Sequence, residues 1–176
     1  MARSVADVAL MMAGLVADSD RDPLTGPCSP SAFLDLTPAN LETVHAAWTE
    51  DFDGVAPVDN GIRACFRSVI GKLDSSFKAL SADDPNFALA GDCFWTLRCV
   101  NYLASHTERY KSHSEKLSPN IIANIKDGQK MSLADVAAAE VQWRRIYTNF
   151  QDYFENKDVL IVPGNAVPAF LIEDGI

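Results

Sequence analysis

Hydrophobic positions recur at helical spacing in five stretches of the chain. Between Ser4 and Ala17, Val5, Val8, Ala9, Met12, Leu15 and Val16 follow the i, i+3, i+4, i+7 rule for one helix face. Ser4 with Asp7 has the S-x-x-D form of a capping box, in which the hydroxyl accepts from the backbone N–H three residues on and the carboxylate reaches back to the cap. Asp59 caps a second helix, whose Ile62, Cys65, Phe66, Val69, Ile70 and Leu73 make the cleanest amphipathic stripe. Asp83-Asp84-Pro85-Asn86 marks the turn and cap before a third, carrying Cys93, Phe94, Leu97, Val100 and Leu103 or Ala104 and running past His106. Ser118-Pro119 opens a short fourth helix that Gly128 stops. Ser132 and Asp135 form a second box, starting a long fifth helix with Val136, Trp143, Tyr147, Phe150 and Phe154 on its inner face.

Strand-like patterns are fewer. Val44 to Thr49 alternates with Val44, Ala46 and Trp48 on one face, and Ser76 to Ser81 reads as a second short strand. Val159 to Val162 is apolar on both faces, which predicts an interior strand of a sheet covered on two sides, not an edge. Residues 18–40, with four prolines and no period, read as a long surface connection. The expected fold class is α/β and helix-dominated, in a single domain spanning residues 1–176.

Composition narrows the function classes. With 15 Lys+Arg against 24 Asp+Glu the net charge is −9, which argues against nucleic acid or an anionic membrane surface as the main partner. The apolar run after Arg3 carries Asp7 at its head and reads as an amphipathic helix rather than a secretory segment, and no run reaches the ~18 to 20 residues that span a bilayer. Cys28, Cys65, Cys93 and Cys99 form no C-x-x-C pair, so neither zinc nor a disulfide framework is indicated, and a reducing cytoplasm suits them.

Candidate chemistry is sparse. Ser75 to Lys78 spells S-x-x-K, with Lys72 and Ser76 beside it, but no partner motif accompanies this short pattern and it reads as a polar helix end. His45, His106 and His113 sit in no metal-binding spacing, so no metal is expected. The pairs Asp51/Asp53 and Asp83/Asp84 flank Gly54 and Pro85 and read as turn and cap residues rather than an acid–base pair. No glycine-rich phosphate cradle occurs, and no cofactor is expected. From residue chemistry alone the chain presents no catalytic residue.

Order and wording of the segments add a resemblance. MARSVADVALMMAGLVADSDRDP is similar to the segment of amidase signature hydrolases that reads Gly-Pro-Met-Ala-Arg-Ser/Thr-Val-x-Asp, then an apolar helix and an Asp-x-x-Asp-Pro turn, through Met1, Ala2, Arg3, Ser4, Val5, Asp7, Asp22 and Pro23. AAWTEDFDGVAPVDNGIRACF resembles the family's Ala-Trp strand, then Gly, then Val-Asp opening a helix, through Ala47, Trp48, Asp51, Gly54, Val58 and Asp59. The stretch from Met131 to Phe170 resembles the family's long helix, its strand ending in Pro, and its closing Pro-Ala, with Gly164 where the family commonly has Thr.

The resemblance implies a portion of a mixed β-sheet flanked by helices, from an enzyme that hydrolyses carboxylic amides through a Ser-(cis-Ser)-Lys triad. In that scheme the lysine deprotonates the bridging serine, which relays the nucleophile's proton, while a Gly/Ser-rich loop supplies N–H donors for the oxyanion. In the family all three catalytic residues precede the Gly-Pro-Met-Ala-Arg segment, so none carries over and this chain is expected to be inactive alone. The implied partner is a small amide substrate of the parent enzyme, with the region from Arg109 to Trp143 helping to shape the wall of the substrate funnel. The alternative is a non-catalytic interaction module derived from the same scaffold, which would self-associate as a homodimer through faces the absent half once covered.

Overall fold

The computed structural model describes residues 2–16 and 28–171, which fall into two compact units, one up to Asn40 and one from Leu41 onward. Met1, the Asp22-Pro23 match and residues 18–27 of the proline-rich connection lie outside the described residues. In the first unit, α1 (Val5–Leu15) starts where expected: Ser4 is extended, and its Oγ accepts from the Asp7 N–H at 3.1 Å. A 3-10 turn at Pro30–Phe33 contacts α1. Within this helix only Ala9 is buried, while Val5, Leu10 and Leu15 stand exposed.

The second unit is built on three parallel strands in the order β2-β1-β3: β1 (His45–Trp48), β2 (Ala79–Ala82) and β3 (Val159–Ile161). Ala46 pairs with Leu80 on one side and with Val159 on the other. Neighbouring Ala46 and Ala47 point to opposite faces, and both are buried, at 1% and 0% exposure, so both faces of β1 are covered. The central strand is therefore HAAW and not VLIV. Among the described residues β3 is an outer strand, with Val159 and Val162 exposed. An apolar run marks a strand without fixing its neighbours, and here the centre belongs to small side chains.

Parallel pairing demands long crossovers. The first is α2 (Asn60–Leu73), capped by Asp59, whose Oδ1 accepts from Gly61 N–H at 2.7 Å and Ile62 N–H at 3.4 Å. Its stripe is only partly covered: Ile70 is buried and Phe66 meets Trp48 edge-on at 6.0 Å, whereas Cys65 and Val69 are exposed. The second crossover runs through α3 (Ala90–His113), α4 (Pro119–Gly128) and α5 (Leu133–Phe154). The turn at Asp83–Asn86 does not cap α3 directly. Asn86 closes a local turn to Ala88 N–H at 3.3 Å, and α3 begins at Ala90 behind Leu89, without a side-chain cap.

Both α4 and α5 start at the expected serines. Ser118 Oγ accepts from Ile121 N–H at 3.4 Å, and Ser132 with Asp135 forms a full capping box. The inner face of α5 departs from the sequence expectation. Ala139 is its buried residue, while Trp143, Tyr147 and Phe154 are exposed. Cys93 Sγ donates to the Ala139 C=O at 3.3 Å, so the helices approach through small side chains rather than through the aromatic row. Gly128 likewise serves as a packing residue. It is the last residue of α4, and a Cβ there would meet the Leu103 side chain at 2.8 Å and the Cys99 C=O at 3.0 Å.

Gly128→Ala is therefore expected to destabilise the protein by about 1 to 3 kcal/mol, the usual cost of overpacking. Gly71→Ala in α2, where an added Cβ meets nothing within 4 Å, is expected to leave stability unchanged or raise it by roughly 0.5 to 1 kcal/mol. Urea denaturation of the two variants beside the parent chain measures both.

Candidate functional site

In open α/β sheets ligands settle outside the carboxyl ends of the strands, so the ends of β1 and β2 are the first place to look. Beyond Trp48 the chain turns sharply through Phe52, Asp53 and Gly54, with φ of 53°, 55° and 81°. Two of these three left-handed residues carry side chains, and their neighbours hold them there. Thr49 Oγ1 accepts from Phe52 N–H at 3.0 Å, and Ala56 N–H closes onto the Asp51 C=O at 2.8 Å. Thr49 in turn donates to Asp84 Oδ2 at 3.1 Å, tying the end of β1 to the turn after β2.

Two arginines one turn apart on α2 fix the acids of this turn. Arg63 reaches Glu50 at 2.9 Å and Asp51 at 2.6 Å, and its Nε donates to the Val58 C=O at 3.1 Å. Arg67 forks onto both oxygens of Glu50, at 2.7 Å and 2.5 Å. The hydrogen bond from Arg67 is the main reason the Glu50 carboxyl is held below its ordinary value of 4.5. The result is a shallow cleft of about 570 Å³ lined by Glu50, Asp51, Asp53, Asp83, Asp84 and Arg67.

At the other lip, Lys157 donates to Ser81 Oγ at 3.1 Å and lies 3.5 Å from Asp83. Tyr153 donates its hydroxyl to the Asp83 C=O at 3.2 Å. Burial, followed by the charges of Asp83 and Asp84, pushes this phenol up to about 12, so it remains a protonated donor.

The structure thus brings Asp51, Asp53, Asp83 and Asp84 to one cleft, and binds three of them to partners that hold the turns. Asp51 pairs with Arg63, Asp83 with Lys157, and Asp84 accepts from Thr49, which lines the cleft and is 6% exposed. Sequence reading singled out the aspartates and passed over Arg63 and Arg67. Their i, i+4 spacing on the polar side of α2, following acids in a turn, was the available signal.

The remaining candidates do not converge. Ser75 and Ser76 follow the end of α2, where Ser76 N–H bonds the Leu73 C=O at 2.8 Å, and no hydrogen bond links either serine to Lys72 or Lys78. His45 lies on β1, its backbone N–H bonded to Asp158 Oδ2 at 2.7 Å. On α3, the His106 ring lies 5.4 Å from Tyr102, while His113 Nδ1 pairs with Ser112 Oγ at 2.8 Å. Among the described residues no three His, Cys, Asp or Glu side chains are grouped to hold a metal ion, and no helix is long and apolar enough to cross a membrane.

The Glu50 pairing makes a pH prediction whose sign follows from its lowered carboxyl. The stabilisation is fully present above the unfolded value of 4.5 and is lost as pH falls through the lower folded value. Glu50→Gln is expected to lower the urea midpoint at about pH 7 and to narrow the gap to the parent chain at about pH 3. Equal gaps at both pH values would show that the lost charge is not responsible.

Comparison with known proteins agrees at the level of fold. No protein-family model and no curated protein matches the chain. The solved structure of a bacterial aryl acylamidase belonging to the amidase signature enzymes family matches with a TM-score of 0.70 at 19% identity. The match covers 94% of this chain and 36% of that one, so the chain spans about a third of the length of that enzyme. The chain therefore has a helix-dominated α/β fold like that of a portion of an amidase signature enzyme.

Proposed function

We propose that this chain forms part of the scaffold of an amidase-type hydrolase that cleaves the C–N bond of carboxylic amides, with the nucleophile supplied by residues outside it. The observation that carries the reading is fold agreement with an amidase signature enzyme along nearly the whole chain. The three ordered sequence motifs lead to the same family independently. Glu50, Asp51, Asp83 and Asp84 at the strand ends are tied up in ion pairs and turns, and Ser75 and Ser76 make no hydrogen bond to the neighbouring lysines, which supports placing the nucleophile elsewhere.

Exposed apolar side chains support a second reading, an interaction module without activity. Leu133, Val141, Trp143, Tyr147, Phe170 and Leu171 are all at least half exposed, more than a self-sufficient surface usually shows. In this reading the module self-associates as a homodimer through those faces.

Intact mass after incubation with a fluorophosphonate, which labels activated serines, tests the first reading. The 176-residue chain is expected to show no adduct. A stoichiometric adduct on any serine would overturn the assignment of the nucleophile to residues outside it. The product of the full reading frame is expected to hydrolyse a simple arylamide and to lose that activity on labelling. A full-frame product that does neither, and a chain that runs as a monodisperse dimer by light scattering, would favour the interaction module.

A further inference from the structure

Beside the contact between Cys93 and Ala139, α3 and α5 leave a groove of about 530 Å³, within the range of small-ligand sites. Its walls are Phe94, Leu97, Trp143 and Ile146, and its floor is Ala90 and Cys93. Burial raises the pKa of the Cys93 thiol, with Glu140 adding to the effect, so the floor is neutral as well as apolar. Phe94 and Trp143 are 60% and 51% exposed, an unusual state for aromatic rings on facing helices with a hollow between them.

One cation stands in this apolar setting. The Arg98 guanidinium lies 5.0 Å from the Tyr102 ring centre and 5.8 Å from that of Phe94. Its Nε donates to Asn124 Oδ1 at 2.9 Å, and Nη2 donates to the Tyr102 hydroxyl at 3.2 Å. Asn124 is only 4% exposed, and its own amide donates to the Asn120 C=O at 2.7 Å, which fixes its oxygen toward the arginine. The guanidinium is thus held in place by neutral groups. In a chain with 24 acids to 15 bases, Arg63 and Arg67 both find carboxylates, yet among the described residues none pairs with Arg98. The donors of Nη1 are left without a partner beside the groove.

We propose that this groove binds a small apolar carboxylate, an aryl or branched-alkyl carboxylic acid, with its body between Phe94 and Trp143 and its carboxylate on Arg98. The aromatic walls supply area and the stacked, pre-positioned guanidinium supplies the charge-assisted hydrogen bonds that choose an acid over a neutral isostere. Asn124 is the positioning residue. The inference stands apart from the amide-hydrolysis reading, since it needs no nucleophile and concerns binding alone.

Titration calorimetry of the 176-residue chain with 3-phenylpropionate and with its neutral isostere 3-phenylpropionamide tests it. The acid is expected to bind at least tenfold more tightly than the amide. Arg98→Gln is expected to abolish that preference, and Trp143→Ala to weaken both probes alike. Because Arg98→Gln also removes a bond to buried Asn124, its helix content is checked by circular dichroism. If that variant does not fold, the acid-to-amide ratio of the parent chain and the Trp143→Ala result decide. Equal affinity for the two probes, no binding of either, or a folded Arg98→Gln variant that keeps the preference would overturn the proposal.

Discussion

The pairing of β1 on both sides by parallel strands is the constraint on which the second unit depends. Ala46 and Ala47 have almost no side chain to offer, so what they contribute is room: layers can close on both faces of the strand without strain. Its backbone groups are satisfied by β2 and β3, and the pairing continues past the strand ends. Asp83 N–H bonds the Trp48 C=O at 3.1 Å, Thr49 N–H the Ile161 C=O at 3.2 Å, and Asp158 N–H the His45 C=O at 2.9 Å. With β1 fixed in this way, the acidic turns after β1 and β2 must lie side by side. The charge clamp of Arg63 and Arg67 on Glu50 and Asp51 is a consequence of that placement.

The same economy of side chains governs the helices. Cys93 against Ala139, and Gly128 against Leu103 and Cys99, let α3 sit close to both of its partners. Large residues are then displaced outward, which leaves Phe94 and Trp143 at the rim of a groove and Tyr147 and Phe154 in the open. Close contact through small residues and exposure of aromatic ones are two sides of one packing choice. It also accounts for the exposed apolar side chains that support the interaction-module reading.

What was legible in the sequence was whatever local chemistry decides. Asp59, Ser118 and Ser132 announce their helices because a side-chain oxygen meets backbone N–H groups two or three residues away. Parallel neighbours such as Ala46 and Leu80 are set by tertiary pairing, and no period in the sequence reports them. Hydrophobicity also misled at α5, where Trp143 and Tyr147 were read as core while Ala139 took that place. Asp51 was visible as a turn residue, but its partner Arg63 comes from a different element and was not seen. The groove joins Arg98, a lone basic residue in the apolar stripe of α3, to Trp143 of the aromatic row of α5, and no local spacing in the sequence reports that pairing.

Native-state hydrogen exchange tests the central role of β1 most directly. If the pairing of β1 holds the second unit together, the amides of Ala46, Ala47 and Thr49 exchange only through global unfolding and are the slowest in the chain. Exchange of those amides through a lower-energy opening, with α3 and α5 still protected, would contradict the account.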